Sequence, residues 1–407
     1  MPRRVFITAA EASGDQHAAE LIRHLRQLDP AIQVEGLGGA KMAAAGATLL
    51  EETVGRAAMG WRGALRAVEA SRWLKRTAER YRDPATRPDL HVCVDSSAVN
   101  LPFARLAKQK FGVPVLYYVA PQLWASREGR IKKVRQYVDH LACIFPFEQE
   151  YFRSRGVKAT FVGHPLFDQL PPAADRARAR PPGPRFPDAP PVVGIIPGSR
   201  RGEVRANLPH LMEVMDRVRR QFPQVSFLVP TTAASDALVR QTLGPAGANG
   251  SVTVQQDGFN DLVPRCDLVI TKSGTSTVHV AAWNVPMIVV YRVNPLLWHG
   301  VARWLVKTRK IAMVNILAGQ TDLVPEFIPW YGSNQPVADC AIDLLKHPEK
   351  LAEQRAKLTK LMRLLDRPGA SMNAAKLAVE LMEERQRTDS ASPPTPPLAL
   401  PSAPPVT

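Results

Sequence analysis

Short apolar runs alternate with helix-length segments along this chain, and after an interruption the alternation starts again. Before the break, 5–8, 34–37, 91–94, 113–118 and 141–144 read as strands. The segment 16–27 reads as a helix, with Ala19, Leu21, Ile22 and Leu25 near helical spacing. After the break, 192–196, 226–229, 252–254, 268–271 and 287–290 read as strands and 208–222 as a helix. Such alternation predicts a parallel sheet covered by helices on both faces. The break itself, 171–191, reads PPAADRARARPPGPRFPDAPP. Proline and arginine dominate it and no apolar period survives, so it reads as a linker or surface excursion. The expected fold is α/β, with two Rossmann-like, doubly wound parallel-sheet domains and a cleft between them.

Length agrees with two domains, because 407 residues exceed the size at which one core keeps growing. The expected division is 1–170, the linker 171–191, 192–348, and charged helices over 349–385 that pack back toward the first domain. The remainder, 386–407, is rich in Pro, Ser and Ala and is expected to be disordered.

Composition narrows the function. A formal charge of +16 suits nucleic acid, anionic lipid or phosphorylated small substrates, or is simply a basic surface. No zinc-finger spacing, RNP-type aromatic strand or dense basic run points to nucleic acid. Cys93, Cys143, Cys266 and Cys340 form no CxxC pair, which argues against a zinc site or disulfide framework and suits a reducing compartment. Arg3 and Arg4 precede an apolar run that soon meets Glu11, too short for a signal peptide. The longest apolar stretch, 278–291, is interrupted by Asn284 and Pro286 and falls short of the roughly 20 residues of a membrane span. A cytoplasmic location without a transmembrane anchor is expected.

The chemistry-bearing residues stand at strand ends, where open α/β sheets bind ligands. Glu11-Ala12-Ser13-Gly14-Asp15 follows the first strand, and free N–H groups at a helix start there suit a ligand. Capping by Ser13 or Asp15 accounts for those two residues but does not require Glu11. Asp95 is either a turn residue or a carboxylate set to take a proton from an incoming hydroxyl. The run 197–203, PGSRRGE, offers amides, a helix start and guanidinium donors, the requirements of a diphosphate. It lacks the Lys-Ser/Thr ending of a P-loop, which argues against a nucleoside triphosphatase. Lys272-Ser273-Gly274-Thr275-Ser276-Thr277 is a second phosphate cradle. Asn315, polar within an apolar run, is either a satisfied buried amide or a cleft residue that reads a ligand.

Taken in order, EASGD (11–15), AMG (58–60), VDSSAVN (94–100), YYVAPQLWA (117–125), PFE (146–148), VGHPL (162–166), PGSRRGEV (197–204), SGTST (273–277), YRVNP (291–295), LVKT (305–308) and NILAG (315–319) resemble the lipid-A-disaccharide synthase family, glycosyltransferases of the GT-B architecture. The resemblance implies UDP-2,3-diacylglucosamine as donor and 2,3-diacylglucosamine 1-phosphate as acceptor. It implies a β(1→6)-linked disaccharide 1-phosphate and UDP as products, inversion at the anomeric carbon, and no metal ion or cofactor. Asp95 matches the family's base for the acceptor 6-hydroxyl. Glu11 and Asp15 would shape the acceptor side. Gly198, Ser199, Arg200, Glu203, Ser273, Gly274, Thr275 and Asn315 match positions around the nucleotide diphosphate.

Acylated substrates imply peripheral contact with the inner face of the cytoplasmic membrane. Met59, Trp61, Leu65 and Trp73, flanked by Arg62, Arg66, Arg72 and Lys75, form a candidate acceptor- and membrane-facing stripe. A second such stretch is 296–310; for each the alternative is an ordinary core-facing helix. A homodimer is compatible with the sequence. The chain departs from the family at Ala10, usually glycine. It departs at Ser97 and Ala98, where a proline and a second aspartate are usual, and at His279, usually a glutamate. The competing readings are another GT-B enzyme, such as a UDP-N-acetylglucosamine 2-epimerase, and a non-catalytic basic membrane-binding scaffold.

Overall fold

The structure, a computed structural model, describes residues 2–54, 63–125, 128–179, 189–247, 250–293 and 308–391. The first seven strands are β1 (Arg4–Ala9), β2 (Gln33–Gly38), β3 (Thr48–Glu52), β4 (Leu90–Val94), β5 (Val115–Tyr118), β6 (His140–Cys143) and β7 (Ala159–Phe161). They form one parallel sheet in the order β3-β2-β1-β4-β5-β6-β7. The other six are β8 (Val192–Ile196), β9 (Ser226–Thr231), β10 (Val252–Gln256), β11 (Leu268–Lys272), β12 (Met287–Arg292) and β13 (Glu326–Trp330). These form a second parallel sheet, β10-β9-β8-β11-β12-β13. The fold is α/β with two doubly wound parallel sheets, of seven and six strands.

Both sheets reverse direction of growth at one point, between β1 and β4 and between β8 and β11. A crevice opens there beyond the carboxyl ends of the strands, because the connections leave to opposite faces. Ala9 pairs with Val94 and Ile196 neighbours Thr271 across the ladders. Glu11, Asp95, Ser199 and Ser273 each follow one of these four central strands by a few residues. The central strands are buried throughout (β4 and β5 at every position), as strands covered on both faces must be.

Three strands escape the sequence reading, and all three are edge strands: β3, β7 and β13. An edge strand needs little apolar surface. Accordingly β3 reads TLLEE, β7 is three residues long, and β13 carries Pro329, tolerated where one side of the ladder is unpaired.

Two expectations about connections need correction. The stretch 171–191 is not wholly irregular: Ala173–Ala179 is helical. Within it Arg176 is 5% exposed, donates from Nε to the Ala282 carbonyl at 3.1 Å and pairs with Asp366. The charged segment 349–385 is two helices, Pro348–Leu365 and Ala370–Ala391, so helix also extends past residue 385 into the segment expected to be disordered. The break falls where Asp168 accepts the N–H groups of Gly369 (2.6 Å), Ala370 (3.1 Å) and Ser371 (2.9 Å), capping the last helix from a distant point of the chain. That helix lies on the first sheet's side. Ala374, Ala375 and Ala378 are fully buried in the core shared with the helix Ala12–Leu28, Glu383 pairs with Arg3 at 3.1 Å, and Ser371 meets the Tyr118 hydroxyl at 3.3 Å.

Candidate active site

Glu11 precedes the helix Ala12–Leu28 in extended conformation, and its carboxylate does not cap that helix. It reaches across the crevice instead, accepting from Arg200 Nη2 at 2.8 Å. Neither Ser13 nor Asp15 is the cap that the sequence suggests. Ser13 donates its hydroxyl to Asp95 Oδ2 at 3.2 Å. Asp15 is 3% exposed and accepts the N–H groups of Gly39 (2.9 Å), Lys41 (3.1 Å) and Met42 (3.1 Å), closing the start of the helix Ala40–Ala44. A Cβ on Gly39 would lie 2.6 Å from Asp15 Oδ2, so glycine is required opposite it. The expectation that Asp15 shapes the acceptor side is therefore corrected: its oxygens are taken by backbone, and it fixes the turn beside Glu11.

Asp95 lies half-buried in a cavity of about 320 Å³ with Ser97, Val119, Gln122 and Ile144. Its backbone is left-handed at φ 55°, as are Ser96 at 32° and Val119 at 61° on the neighbouring strand end. Conformations of this kind cost about 1–3 kcal/mol each and persist only where the surroundings over-determine them. Here the surroundings do so. Tyr117 Oη donates to the Asp95 carbonyl at 2.5 Å, and Asn100 Nδ2 donates to the carbonyls of Val94 and Asp95, both at 2.8 Å.

Asn100 is held in turn from the core. Thr8 Oγ1 donates to Asn100 Oδ1 at 2.6 Å and lies 3.2 Å from His91 Nε2, while Tyr81 Oη lies 2.6 Å from His91 Nδ1. Burial pushes the His91 imidazole down to about 3, so it is neutral. With Thr8 spending its proton on Asn100, His91 must donate from Nε2 and accept at Nδ1. A single directed chain thus runs Tyr81–His91–Thr8–Asn100–Asp95. None of its first four members was singled out from the sequence, because a buried Thr, Asn or His reads as ordinary core polarity.

Across the crevice, β8 ends at Ile196 and the turn from Pro197 leads into the helix Arg201–Gln221. Gly198 has φ 129°, and a Cβ there would stand 2.6 Å from the Glu203 Cβ, so the turn admits only glycine. Glu203 folds back to accept the N–H groups of Ser199 (3.2 Å) and Arg200 (3.4 Å). Its other oxygen meets Lys272 Nζ at 2.9 Å and Arg200 Nη1 at 3.3 Å. Burial works to raise the Glu203 carboxyl, but Lys272 and Arg200 outweigh it and hold it below the usual range. The Ser199 amide, expected to face a diphosphate, thus already carries an anion, the Glu203 carboxylate. Lys272, read from the sequence only as the first residue of the second cradle, is the last residue of β11 and stands over the Tyr291 ring at 5.1 Å.

Ser273 is 8% exposed and its hydroxyl donates to the Ile311 carbonyl at 3.4 Å. Gly274 precedes the helix Thr275–Ala282, and Thr275 is exposed at its N-terminus, where the first N–H groups lack intrahelical partners. Asn315 takes the plainer of its two readings. It is fully buried, donates to the Val324 carbonyl and Glu326 Oε2 at 3.0 Å each, and accepts from Val324 N at 2.9 Å. Its placement on the nucleotide is therefore corrected: Asn315 and Glu326 pin the loop that carries Ile311 against Ser273. His279 stacks on Phe259 at 3.9 Å and meets Asn260 Oδ1 at 2.7 Å; burial pulls it to about 4, so the imidazole is neutral.

Met59 and Trp61 lie outside the described residues, as do the Leu65 side chain and 294–307. Trp73 is 7% exposed and packs into the core with Tyr81, which corrects its assignment to the outer face. Spacing explains it: Trp73, Thr77 and Tyr81 recur on one face of the helix Gly63–Arg82 and turn inward together. Val68, 66% exposed, is on the outside.

Among the described residues, Glu11, Arg200, Glu203 and Lys272 form one line of contacts across the crevice, and Ser13, two residues after Glu11, meets Asp95. A family model described as lipid-A-disaccharide synthetase matches residues 5–381. The lipid-A-disaccharide synthase of Trichlorobacter lovleyi is 35% identical over 387 residues, covering 94% of this chain and 98% of that protein. The enzyme of the same name from Geobacter sulfurreducens is 35% identical, covering 93% and 97%. Among solved structures, a putative UDP-N-acetylglucosamine 2-epimerase from Listeria monocytogenes superposes with a TM-score of 0.62 at 12% identity, covering 96% and 98%. The glycotransferase of kitacinnamycin gives 0.59 at 18%, covering 94% of this chain and 100% of that one. At such identities these two likenesses speak for the fold alone.

Proposed function

Because the chain belongs to the lipid-A-disaccharide synthase family and is a glycosyltransferase of lipid A disaccharide synthesis, we propose how its crevice performs that reaction. The donor is UDP-2,3-diacylglucosamine and the acceptor 2,3-diacylglucosamine 1-phosphate. Asp95 takes the proton of the acceptor 6-hydroxyl, whose oxygen attacks the donor's anomeric carbon from the face opposite UDP. As the new C–O bond forms, the bond to the diphosphate breaks and UDP leaves. Arg200, Lys272 and the N-terminus of the helix Thr275–Ala282 receive the growing charge. Glu203 holds those cations and amides in place until the diphosphate takes over the position of its carboxylate.

The observation that supports this reading most is the Glu11–Arg200 pair at 2.8 Å, which ties the wall bearing Asp95 to the wall bearing the cations. Purified protein incubated with both acylated sugars, with products weighed by mass spectrometry, tests it. The disaccharide 1-phosphate is expected; an epimerised sugar nucleotide alone, or no product, defeats it.

The protein works at the anionic inner face of the cytoplasmic membrane, where both substrates reside. Among the described residues no helix is long and apolar enough to cross a membrane. The outer face of the helix Gly63–Arg82 carries exposed Val68, Arg72 and Lys75, an arrangement suited to an interface. Salt-sensitive flotation with anionic vesicles is expected; absence of binding at low salt defeats it.

A further inference from the structure

A groove of about 680 Å³ runs between the helices Gly63–Arg82, Ser97–Arg105 and Ile131–Tyr137. Leu74, Leu101 and Leu106 line its trough, and Arg105, Arg130 and Lys133 stand along its rim. Ser97 and Ala98 belong both to this groove and to the smaller cavity that holds Asp95, so the two adjoin. Arg130 marks the junction, donating from Nη1 to Ser97 Oγ at 3.1 Å.

Among the described residues the rim cations have no carboxylate partner. Among the described residues, Arg130 contacts only that hydroxyl, Arg105 only the Gln109 amide oxygen at 3.2 Å, and Lys133 has no carboxylate partner. Other cations next to these helices do have carboxylate partners: Lys108 pairs with Asp139, Arg76 with Glu51 and Arg80 with Glu35. Free cations over an apolar trough, within the size range of ligand pockets, match an anionic amphiphile: an alkyl chain along the leucines and a phosphate at the rim. In an acylated sugar 1-phosphate, the phosphate and the 6-hydroxyl flank the ring oxygen, about one ring apart. The groove and the Asp95 cavity share Ser97 and Ala98, and Arg130 is hydrogen-bonded to that Ser97.

We propose that this groove seats the acceptor, an acyl chain lying over Leu74, Leu101 and Leu106 and the phosphate held by Arg130 and Lys133 with Arg105. The assignment rests on the reaction proposed above, but its test reads binding without turnover. Equilibrium binding of 2,3-diacylglucosamine 1-phosphate to the full chain in nonionic detergent is measured for Lys133→Glu and for Lys132→Glu. Lys132 is an exposed neighbour that does not line the groove. Loss of a charge-assisted contact in the first is expected to raise Kd about tenfold or more, with UDP binding unchanged. The second is expected to stay within about twofold, since an exposed charge at that distance is largely screened. The unaltered protein should bind the same lipid lacking its phosphate about tenfold more weakly. Equal effects of the two substitutions, or no preference for the phosphorylated lipid, overturn the proposal. So does a Lys133→Glu protein that loses anionic vesicles while keeping its acceptor affinity, because the groove would then serve bilayer headgroups. Failure to form disaccharide in the presence of normal acceptor binding counts against the reaction and not against the groove.

Discussion

The two walls of the crevice are built on opposite principles. On the side of the first sheet, Asp95 stands on a strained shelf braced by a directed chain of buried hydrogen bonds from Tyr81 through His91, Thr8 and Asn100. On the side of the second sheet, Arg200, Glu203 and Lys272 compensate one another in a partly solvated cluster, with the Arg200 side chain 67% exposed. Burial lowers the Arg200 pKa, yet Glu11 and Glu203 outweigh it and raise the net value. A base needs one fixed geometry, which buried, fully paired groups enforce. A diphosphate must enter and leave, which favours charges that can exchange one anion for another. The difference separates a wall that orients from a wall that adapts.

The sharpest way to break this contrast is Asp95→Asn. Turnover is expected to fall about 10²–10⁴-fold while the protein stays folded and binds UDP, because only the proton acceptor is removed. Near-normal turnover would end its role as base.

Glu148 probes the rigid wall next. It is fully buried and accepts from Trp124 Nε1 at 3.0 Å and from the N–H groups of Ile144 and Phe145 at 3.2 Å, bracing the loop 119–125 that faces Asp95. Burial raises its carboxyl to about 7 against those three donors. The native state therefore holds a proton that the unfolded chain has lost, and this contribution to stability declines as pH rises from the ordinary carboxyl value of 4.5 through about 7. Buried histidines titrate with the opposite sign. The quantity to measure is thus the unfolding free energy of the wild type minus that of Glu148→Gln. It should fall by up to about 3 kcal/mol across this window and be flat above it. A difference independent of pH would remove Glu148 from this account.

Asn100→Ala asks whether the brace acts on catalysis as well as on folding. It should cost about 1–3 kcal/mol of stability by leaving buried groups unpaired. It should also lower kcat more than it raises either KM, since the Asp95 carbonyl loses a donor. A purely structural role would lower stability alone.

Arg200→Ala, on the adaptive wall, carries the smallest expected effect on the fold. Stability should change by no more than roughly 0.5 kcal/mol, as for exposed surface positions. UDP affinity should weaken about tenfold, with acceptor binding unchanged. A large loss of stability, or intact UDP binding, would show that the two walls do not differ as described.

Much of the fold was legible because strands buried on both faces announce themselves as continuous apolar runs, and the central strands of both sheets were found near their observed limits. Three of the four edge strands, β3, β7 and β13, were not, because half-solvated segments such as Thr48–Glu52 lack that signal. In the site, Glu11, Asp95, Arg200 and Glu203 could be singled out because charged residues immediately after apolar strands have few structural reasons to be there. Asp15, Trp73 and Asn315 had the same surface credentials and turned out to be taken up by backbone groups or by the core.

The sequence by itself determined the two parallel-sheet units and the strand ends at which chemistry gathers, because periodicity and strand-terminal residues are local properties of the chain. Only the tertiary structure decided which polar groups remain free for a ligand. Hydrogen-bond partners of Asp15, Asn100 and Asn315 come from segments distant or unmarked in sequence, and it is the spending of those donors and acceptors that separates a scaffold residue from a reactive one.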